Sequence, residues 1–569
     1  MENAELENLL VTVEKPGRYI GGEWNAVKKA WAVDKVKILL AFPDAYEIGM
    51  SHLGTKILYG ILNERADCLA ERAFSPWPDF EEVLRKNKIS LFSLESRRPL
   101  KDFDIIGFSL AHELTYTNTL NILDLGSIPL KSSERGEEDP LIIAGGPSCC
   151  NPEPMAEFID AFVIGDGEEV IGEIVEVYKN SKLKTHDSRP NLLKALAKIK
   201  GIYVPSLYKV EYNSDRTIKR FFPIEDSGPP KIEKRLVKDL GNAYYPTRQI
   251  VPNINIVHDR IAIEVMRGCK YACRFCQART IYGPYRERSM DQILRLARAT
   301  CETTGYDEIS LLSLSSASHS RIKEIIEALN EEFGPRAVSI SVPSLRIEDI
   351  LKDLPRLISK VKKAGLTFAP EAGSERLRKA INKNINLERL FEAALESYKQ
   401  GWRRVKLYFM IGLPEERDDD ILLIGDLISK ISNLRRRVGK GPAQVTVSIN
   451  TFLPKPATDF ERHAMDGFES LERKKNLLKS AVKSGREKLD FHSYEMSFIE
   501  AALSRGDRRV SDVIYEAWER GARFDGWQER FNFARWLKAF EITGIDPNFY
   551  VTRKREPDEL LPWSFIDFG

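Results

Sequence analysis

The sequence predicts an α/β chain with an N-terminal Rossmann-like parallel sheet, a central partial (βα)6 barrel of TIM type and a C-terminal helical region. Three observations carry that expectation. Apolar strand-like runs alternate with helical stretches between Val36 and Glu169, and six further strand candidates alternate with helices from Ile261 to Pro454; such alternation builds parallel sheets. Cys269, Cys273 and Cys276 crowd the loop that leaves the first strand of the second series, where α/β folds place their chemistry.

At 569 residues the chain exceeds what one hydrophobic core usually organises. The expected divisions are an arm over 1–33, the Rossmann-like unit over 34–181, a bridge over 182–255, the barrel over 256–465 and the helical region over 466–569. With 43% apolar and 30% charged residues, the composition is that of a soluble enzyme. Lys plus Arg number 86 against 84 Asp plus Glu, so no global field selects a partner. No apolar run approaches the roughly 20 residues of a membrane span, and MENAELENLL is unlike a signal peptide; a cytoplasmic location is expected. Seven cysteines, three on one loop, suit a reducing compartment and a metal site rather than a disulfide framework.

In chain order, KPGRYIGGEWN reads either as an arm draped over a later domain or as a surface tail. KILLAFPDAYEIGMSHLGTKILYGIL then gives strand, turn and helix. Further strands are expected at Asp104 to Leu110, Pro140 to Gly146 and Ala161 to Glu169. A doubly wound sheet binds its ligand at the strands' carboxyl ends, which singles out the turns Pro43 to Gly49, Ser109 to Glu113 and Gly145 to Cys150. Cys149 and Cys150 in the last are either ligand contacts or small buried thiols. In the bridge, a hairpin is expected to turn at Asn213 to Arg216, before a proline-rich linker over Pro223 to Pro230.

The barrel candidates are IAIEVM, EISLLSLS, AVSISVP, GLTFAPE, RVKLYFMIGLP and QVTVSINTFLP, with helices at Met290 to Thr300, Arg321 to Phe333 and Leu387 to Gln400 among them. Three thiolates on a tight loop can hold a soft metal centre. A structural zinc wants four ligands and a [4Fe-4S] cluster has four irons, so three cysteines leave one position open. Lys270, Arg274 and Arg279 surround them, and nearby cations favour thiolate, the ligand form. The competing readings are a zinc knuckle completed by His258, Cys301 or His319, and three merely buried thiols.

CKYACRFC, with Phe275 just before its last cysteine, resembles the signature of the radical S-adenosylmethionine (radical SAM) superfamily. The resemblance implies a [4Fe-4S] cluster on Cys269, Cys273 and Cys276 whose fourth iron binds S-adenosylmethionine for reductive cleavage to a 5′-deoxyadenosyl radical. It also implies an electron donor of flavodoxin or ferredoxin type. For S-adenosylmethionine it suggests Ser315 and Ser316 at the amino group, Ser344 and Arg346 at the ribose or carboxylate, Glu371 at the ribose hydroxyls, and Gly412 and Phe452 beside the adenine; Phe275 joins this set. Helix capping and turn formation are the plainer roles for these residues. SLSSASHS stands where the superfamily more often has Gly-Gly-Glu.

The N-terminal turns resemble a cobalamin-binding domain. In its better-known form a loop reads Asp-x-His-x-x-Gly; here Asp44, Tyr46 and Gly49 occupy those places, with tyrosine, a poor cobalt ligand, for histidine. Gly145 and Gly146 match a double glycine that lets the nucleotide tail approach backbone, and Ser109 half-matches a Ser-x-Leu element. Cobalamin bound without a protein histidine, and a related domain that has lost its cofactor, both remain open. RYIGGEWN, AGGPSCCNPEP, TFAPEAGSERLR and GDRRVSDVIYEAW extend the likeness over nearly the whole chain, to an uncharacterised family with such a domain. Some relatives carry a further cysteine-rich segment after the terminal Pro-Trp element, and this sequence stops before one, which puts any second-cluster function in doubt.

In the helical region, Trp518, Trp527, Phe531, Phe533 and Trp536 are expected in a core rather than as a stacking platform for bases. Arg505, Arg508 and Arg509 either meet an anionic substrate or are solvated, and LLPWSFIDFG is expected to dock on the barrel. The leading function is radical chemistry on an unreactive C–H bond, with cobalamin relaying a methyl group; RNA, peptide and small-molecule substrates stay open. The alternatives are a cobalamin-free rearrangement or sulfur insertion, and a metal-stabilised RNA-binding module with Arg435, Arg436, Arg437 and Lys440 as its basic patch.

Overall fold

The chain is seen here as a computed structural model that describes residues 3–182, 188–225, 227–343, 366–439, 441–482 and 487–569; Ser344, Arg346 and Lys440 lie outside them. The N-terminal sheet contains β1 (Val36–Phe42), β2 (Cys68–Phe74), β3 (Ile105–Ser109), β4 (Leu141–Gly145), β5 (Ala161–Val163) and β6 (Ile202–Tyr203), in the order β2-β1-β3-β4-β5-β6. Strands β1 to β5 run parallel and β6 is antiparallel to β5. The sheet is covered on both faces, so its strands read as apolar runs rather than alternating patterns. Strand order reverses between β1 and β3, and a doubly wound sheet opens its ligand crevice at such a point.

β2 is the strand that apolar patterning misses, because CLAERAF carries two charges. Both are buried, Glu71 and Arg72 at 2% exposure each. Arg72 is forked between Glu23 at 3.0 Å and Glu95 at 2.6 Å, while Glu71 accepts hydrogen bonds from the Ser93 and Ser96 hydroxyls. Buried charge is tolerable when paired and hydrogen-bonded in this way. Glu23 belongs to the N-terminal arm, which therefore drapes over this unit: Arg18 pairs with Glu47 at 2.8 Å, Tyr19 stacks on Phe80 at 4.0 Å, and Leu6 and Leu10 enter the core.

The bridge folds as the hairpin β7 (Tyr208–Tyr212) and β8 (Ile218–Pro223), followed by β9 (Ile232–Glu233). Next come β10 (Ile261–Glu264) and the short antiparallel pair β11 (Met266–Arg267) and β12 (Arg286–Glu287), which frames the cysteine loop. A parallel trio joins β10, β13 (Glu308–Leu312) and β14 (Ser339–Ser341). A parallel quartet joins β15 (Leu366–Glu371), β16 (Arg404–Ile411), β17 (Gln444–Thr451) and β18 (Glu487–Phe491). β18 is an addition to the six expected strands. The helices between strands are amphipathic; Met290–Thr304 starts on a Ser289 capping box and buries Ile293, Leu296, Ala297, Thr300 and Cys301 on one face.

The C-terminal helices pack on the N-terminal unit, against the helix Tyr116–Leu125 and the turns beside it. The Asn151 amide donates to the Ser504 and Gly506 carbonyls, and buried Asp525 accepts from Thr117 and from the Trp536 indole. The three arginines are engaged within the protein, Arg505 buried and the other two part-exposed: Arg505 donates to the carbonyls of Tyr550, Pro454 and His463, Arg508 to Glu153 and Tyr203, and Arg509 to Asp507. The tail docks on the barrel, where the Trp563 indole donates to Glu461 at 2.7 Å, and on the bridge, where β19 (Ile566–Asp567) pairs with β9. Beside it Phe565, 5% exposed, stacks on Phe221 at 4.1 Å. Phe565→Ala removes a buried ring and is expected to cost about 3 kcal/mol, read as a lowered melting temperature in scanning calorimetry; an unchanged transition would show that the tail adds nothing to the fold.

Candidate active site

The cysteine loop is pinned on both flanks. Lys270 donates to the Ser318 carbonyl at 2.6 Å, with its ammonium 4.6 Å from the Tyr285 ring. On the other side the Arg274 amide and guanidinium donate to the carbonyls of Ile381 and Ala380, and the Asn382 amide donates to the Ala272 carbonyl. Gly268 opens the loop at φ +80°, and a Cβ there would lie 2.6 Å from the Pro284 carbonyl oxygen, so the hairpin closes this tightly only on glycine. Cys276 caps the helix Gln277–Tyr282. Burial raises its thiol above the ordinary range and the other two cysteines add to this, while the Arg279 and Ala278 amides oppose it.

All three cysteines line one cavity of about 320 Å³ at the carboxyl ends of β13 to β16, together with Phe275, Ser315 and Glu371. Glu371 sits at a register shift in β15 with φ +68°, and its carboxylate receives the Lys383 ammonium at 3.2 Å. A bulge and a left-handed residue at a strand end re-aim a side chain at some local cost. Ser316, Gly412 and Phe452 are not among the residues that line this cavity. The Ser316 hydroxyl is spent on the Leu311 carbonyl, and the Gly412 amide on Glu416. Phe452 lies in an apolar cluster with Phe460, against which Phe275 packs. The three proposed zinc partners are placed elsewhere: His258 contacts Arg260, Cys301 is in the core, and both His319 nitrogens are engaged, by the Arg288 carbonyl and the Arg321 amide.

A second cavity, of about 470 Å³, opens between the two sheets where their carboxyl ends face each other. The N-terminal unit contributes Ser109, Gly145 and Gly146, and the barrel contributes Glu264, Leu312 and Leu314. Leu314 also lines the cysteine cavity, so the two spaces share a wall. Leu312 and Leu314 keep 37% and 42% of their surface exposed, although they stand inside the protein's waist. Asp44, Tyr46 and Gly49 face away from this cavity: Asp44 accepts from the Trp527 indole, the Tyr46 hydroxyl donates to Glu23, and Gly49 packs on the Phe74 ring. His52, which sequence reading passed over, is the histidine on the cavity wall. Its Nδ1 accepts from the Thr55 amide and contacts the Thr55 hydroxyl, which leaves the proton of the neutral ring on Nε2. In that tautomer the side chain is a hydrogen-bond donor to the cavity and cannot ligate a metal through Nε2.

Sequence reading also missed a charged junction. His112, Glu113 and Glu500 bring their ligand atoms within 4.8 Å of one another, but Lys455 already sits there, 2.9 Å from Glu113 and 2.8 Å from Glu500. Burial works against the Lys455 ammonium, yet the two carboxylates raise it above its ordinary range. Through Lys455 the junction ties the N-terminal unit, the barrel and the helical region together. It adjoins the cysteine loop through Gln277, whose amide donates to the Cys150 sulfur and the Pro456 carbonyl.

Three cysteine sulfurs lining one pinned cavity, with apolar and polar walls but no fourth protein sulfur or imidazole among its described lining, fit an iron–sulfur cluster with an open iron. Family models agree with that chemistry: one described as radical SAM proteins, N-terminal, matches residues 54–205, and one for the radical SAM superfamily matches residues 263–428. The chain belongs to the radical SAM superfamily and carries both its N-terminal and its core domain. An uncharacterized protein of Methanocaldococcus jannaschii is 28% identical over 517 residues, which is 90% of this chain and 98% of that protein. The ribosomal protein uS12 methylthiotransferase RimO of Thermoanaerobacter sp. is 22% identical over 201 residues, 33% of this chain and 45% of its own. Among solved structures, the radical S-adenosylmethionine methyltransferase TsrM from Kitasatospora setae, with cobalamin and a [4Fe-4S] cluster bound, superposes with a TM-score of 0.55 at 11% identity. That match covers 89% of this chain and 100% of TsrM, and at such identity it is a likeness of fold. Among the described residues no helix is long and apolar enough to cross a membrane.

Burial, with a smaller contribution from Lys56, pulls the His52 imidazole down to about 4 from an ordinary 6.5. The folded state therefore holds fewer protons than the unfolded state between these values, so the stability due to neutral His52 is complete above about pH 6.5 and is lost as pH falls toward 4. A loss on the order of 2 kcal/mol is expected from urea midpoints across that window. His52→Asn, which keeps a helix-capping acceptor, flattens the slope; a variant as acid-sensitive as the wild type would remove His52 from this role.

Proposed function

We propose that the chain is a cobalamin-dependent radical SAM methyltransferase, in which the cysteine cavity takes the cluster and S-adenosylmethionine and the larger cavity takes the corrin. The observation that carries this reading is the shared Leu314 wall: the cysteine cavity and a second cavity large enough for a cofactor's reactive face adjoin at the facing carboxyl ends of two sheets. When bound, the cluster supplies the electron that cleaves S-adenosylmethionine, and a corrin supplies a carrier for the methyl group.

The chain's own residues then bind and orient. Cys269, Cys273 and Cys276 hold three irons; Phe275 and Ser315 wall the sulfonium cofactor, and Glu371, steadied by Lys383, accepts its ribose hydroxyls. Ser109, Gly145 and Gly146 form the floor of the corrin site, and His52 donates from its Nε2. The electron comes from a flavodoxin- or ferredoxin-type donor. The turned-away Asp44, Tyr46 and Gly49 favour a second reading, in which the larger cavity holds no corrin and the radical rearranges its substrate directly. The RNA-binding module is disfavoured by position: Arg435–Val438 ends the helix Asp418–Leu434 and precedes β17, on the amino-end rim opposite the cavities.

Anaerobic reconstitution tests the reading. Wild-type protein is expected to form 5′-deoxyadenosine and to retain hydroxocobalamin through gel filtration, and Cys273→Ala is expected to lower 5′-deoxyadenosine at least a hundredfold while keeping the fold by circular dichroism. Undiminished product in Cys273→Ala would contradict the cluster assignment; cleavage by a wild type that retains no corrin would select the second reading.

A further inference from the structure

The turn Gly165-Asp166-Gly167-Glu168 leaves β5 at the carboxyl edge of the N-terminal sheet, beside the larger cavity. A Cβ on Gly165 would lie 2.1 Å from the Arg235 carbonyl oxygen, so the turn is locked against the bridge. Its two carboxylates do not face solvent. Asp166 lies 3.0 Å from Arg267 and 2.9 Å from Arg286, and Glu168 lies 2.6 Å from Arg267. Arg267 also pairs with Glu264 at 2.9 Å. The side chains of Asp166, Glu168, Arg267 and Arg286 are each no more than 10% exposed. Behind them Arg288 is spent on the carbonyls of Glu264, Gly241 and Ala243.

Arg267 ends β11 and stands two residues before Cys269, while Arg286 begins β12, on the other side of the loop. One acidic turn of the N-terminal unit thus grips both strands that frame the cysteines of the barrel. Charge-assisted bonds among buried partners are short and directional, and charges fixed on the two strands that frame the cysteine loop would bear on the electron affinity of a cluster held there, since net charge and local polarity tune iron–sulfur potentials.

We propose that Asp166 and Glu168 are positioning residues for the cysteine loop, acting through Arg267 to fix its place and to hold down the reduction potential of the cluster it carries. This rests on the reading that the cysteines hold a cluster. Removing one of these carboxylates leaves the guanidinium of Arg267, two residues before Cys269, less compensated, which would favour the reduced, more negative cluster and raise its potential.

The test is an EPR-monitored redox titration of the reconstituted full chain. Glu168→Gln keeps the shape and loses the charge, and its midpoint is expected to move upward beyond titration error; Glu168→Asp, which keeps the charge, is expected to stay near the wild type. Glu169→Gln removes a charge from the neighbouring residue, whose carboxylate pairs with Arg235 and is 54% exposed, and is expected to leave the midpoint alone. If Glu168→Gln loses its cluster, recovery of the signal in Glu168→Asp still supports the role, and failure of that recovery overturns it; Asp166→Asn is read by the same upward shift. A fully loaded Glu168→Gln with the wild-type midpoint, or an equal shift in Glu169→Gln, overturns the proposal while leaving the proposed function standing. Absence of any iron–sulfur signal from the wild type would instead sink that function, and this inference with it.

Discussion

The structure depends on a short loop being held still while its sulfurs stay accessible. Lys270 and Arg274 fasten the cysteine loop to two different parts of the barrel, the Ser318 turn and the end of the helix Glu375–Ala380. Both use charged side chains on backbone carbonyls, so these two anchors draw on none of the three sulfurs. A loop fixed only at its ends would pay the ordering entropy of its side chains whenever it met a ligand. Pinned in its middle as well, it meets a cofactor already arranged.

The second constraint is how two parallel sheets meet. A parallel sheet gathers its functional groups at one edge, and two such sheets placed edge to edge make a waist lined by the ends of both. The C-terminal helices maintain that placement: Asn151, Pro154, Glu153 and Asp525 tie them to the N-terminal unit, and Lys455 with Glu500 ties them to the barrel. The tail closes the bridge through β19. A cavity made this way adjoins the cysteine cavity through a shared lining residue, Leu314.

Much of this was legible in the sequence, and for definite reasons. The cysteine spacing reports the loop because ligand geometry is local; β1, β3 and β4 show themselves as apolar runs because strands of a sheet covered on both faces have little solvent face, whereas β10, β16 and β17 alternate buried and part-exposed residues and show themselves by that period. β2 hid because Glu71 and Arg72 are buried by pairing with residues 22 to 49 positions away in sequence, which no local pattern records. β18 hid because EKLDF alternates weakly at a sheet edge, inside a region otherwise helical. Of the residues singled out by the likeness to a cobalamin-binding domain, Ser109, Gly145 and Gly146 reach the cavity since they end strands, whereas Asp44, Tyr46 and Gly49 were placed by motif register and are drawn off by Trp527, Glu23 and Phe74. His52 escaped attention as a helix cap; the ring's tautomer and its place on the wall appear only in three dimensions.

The account turns on one iron being left open by the protein. Mössbauer spectra of protein reconstituted with iron-57, recorded with and without S-adenosylmethionine, address this directly. One iron in four is expected to change its isomer shift when the sulfonium compound is added, the other three staying as they were. Four irons that ignore the addition, or a site that takes up zinc and no cluster, would contradict it.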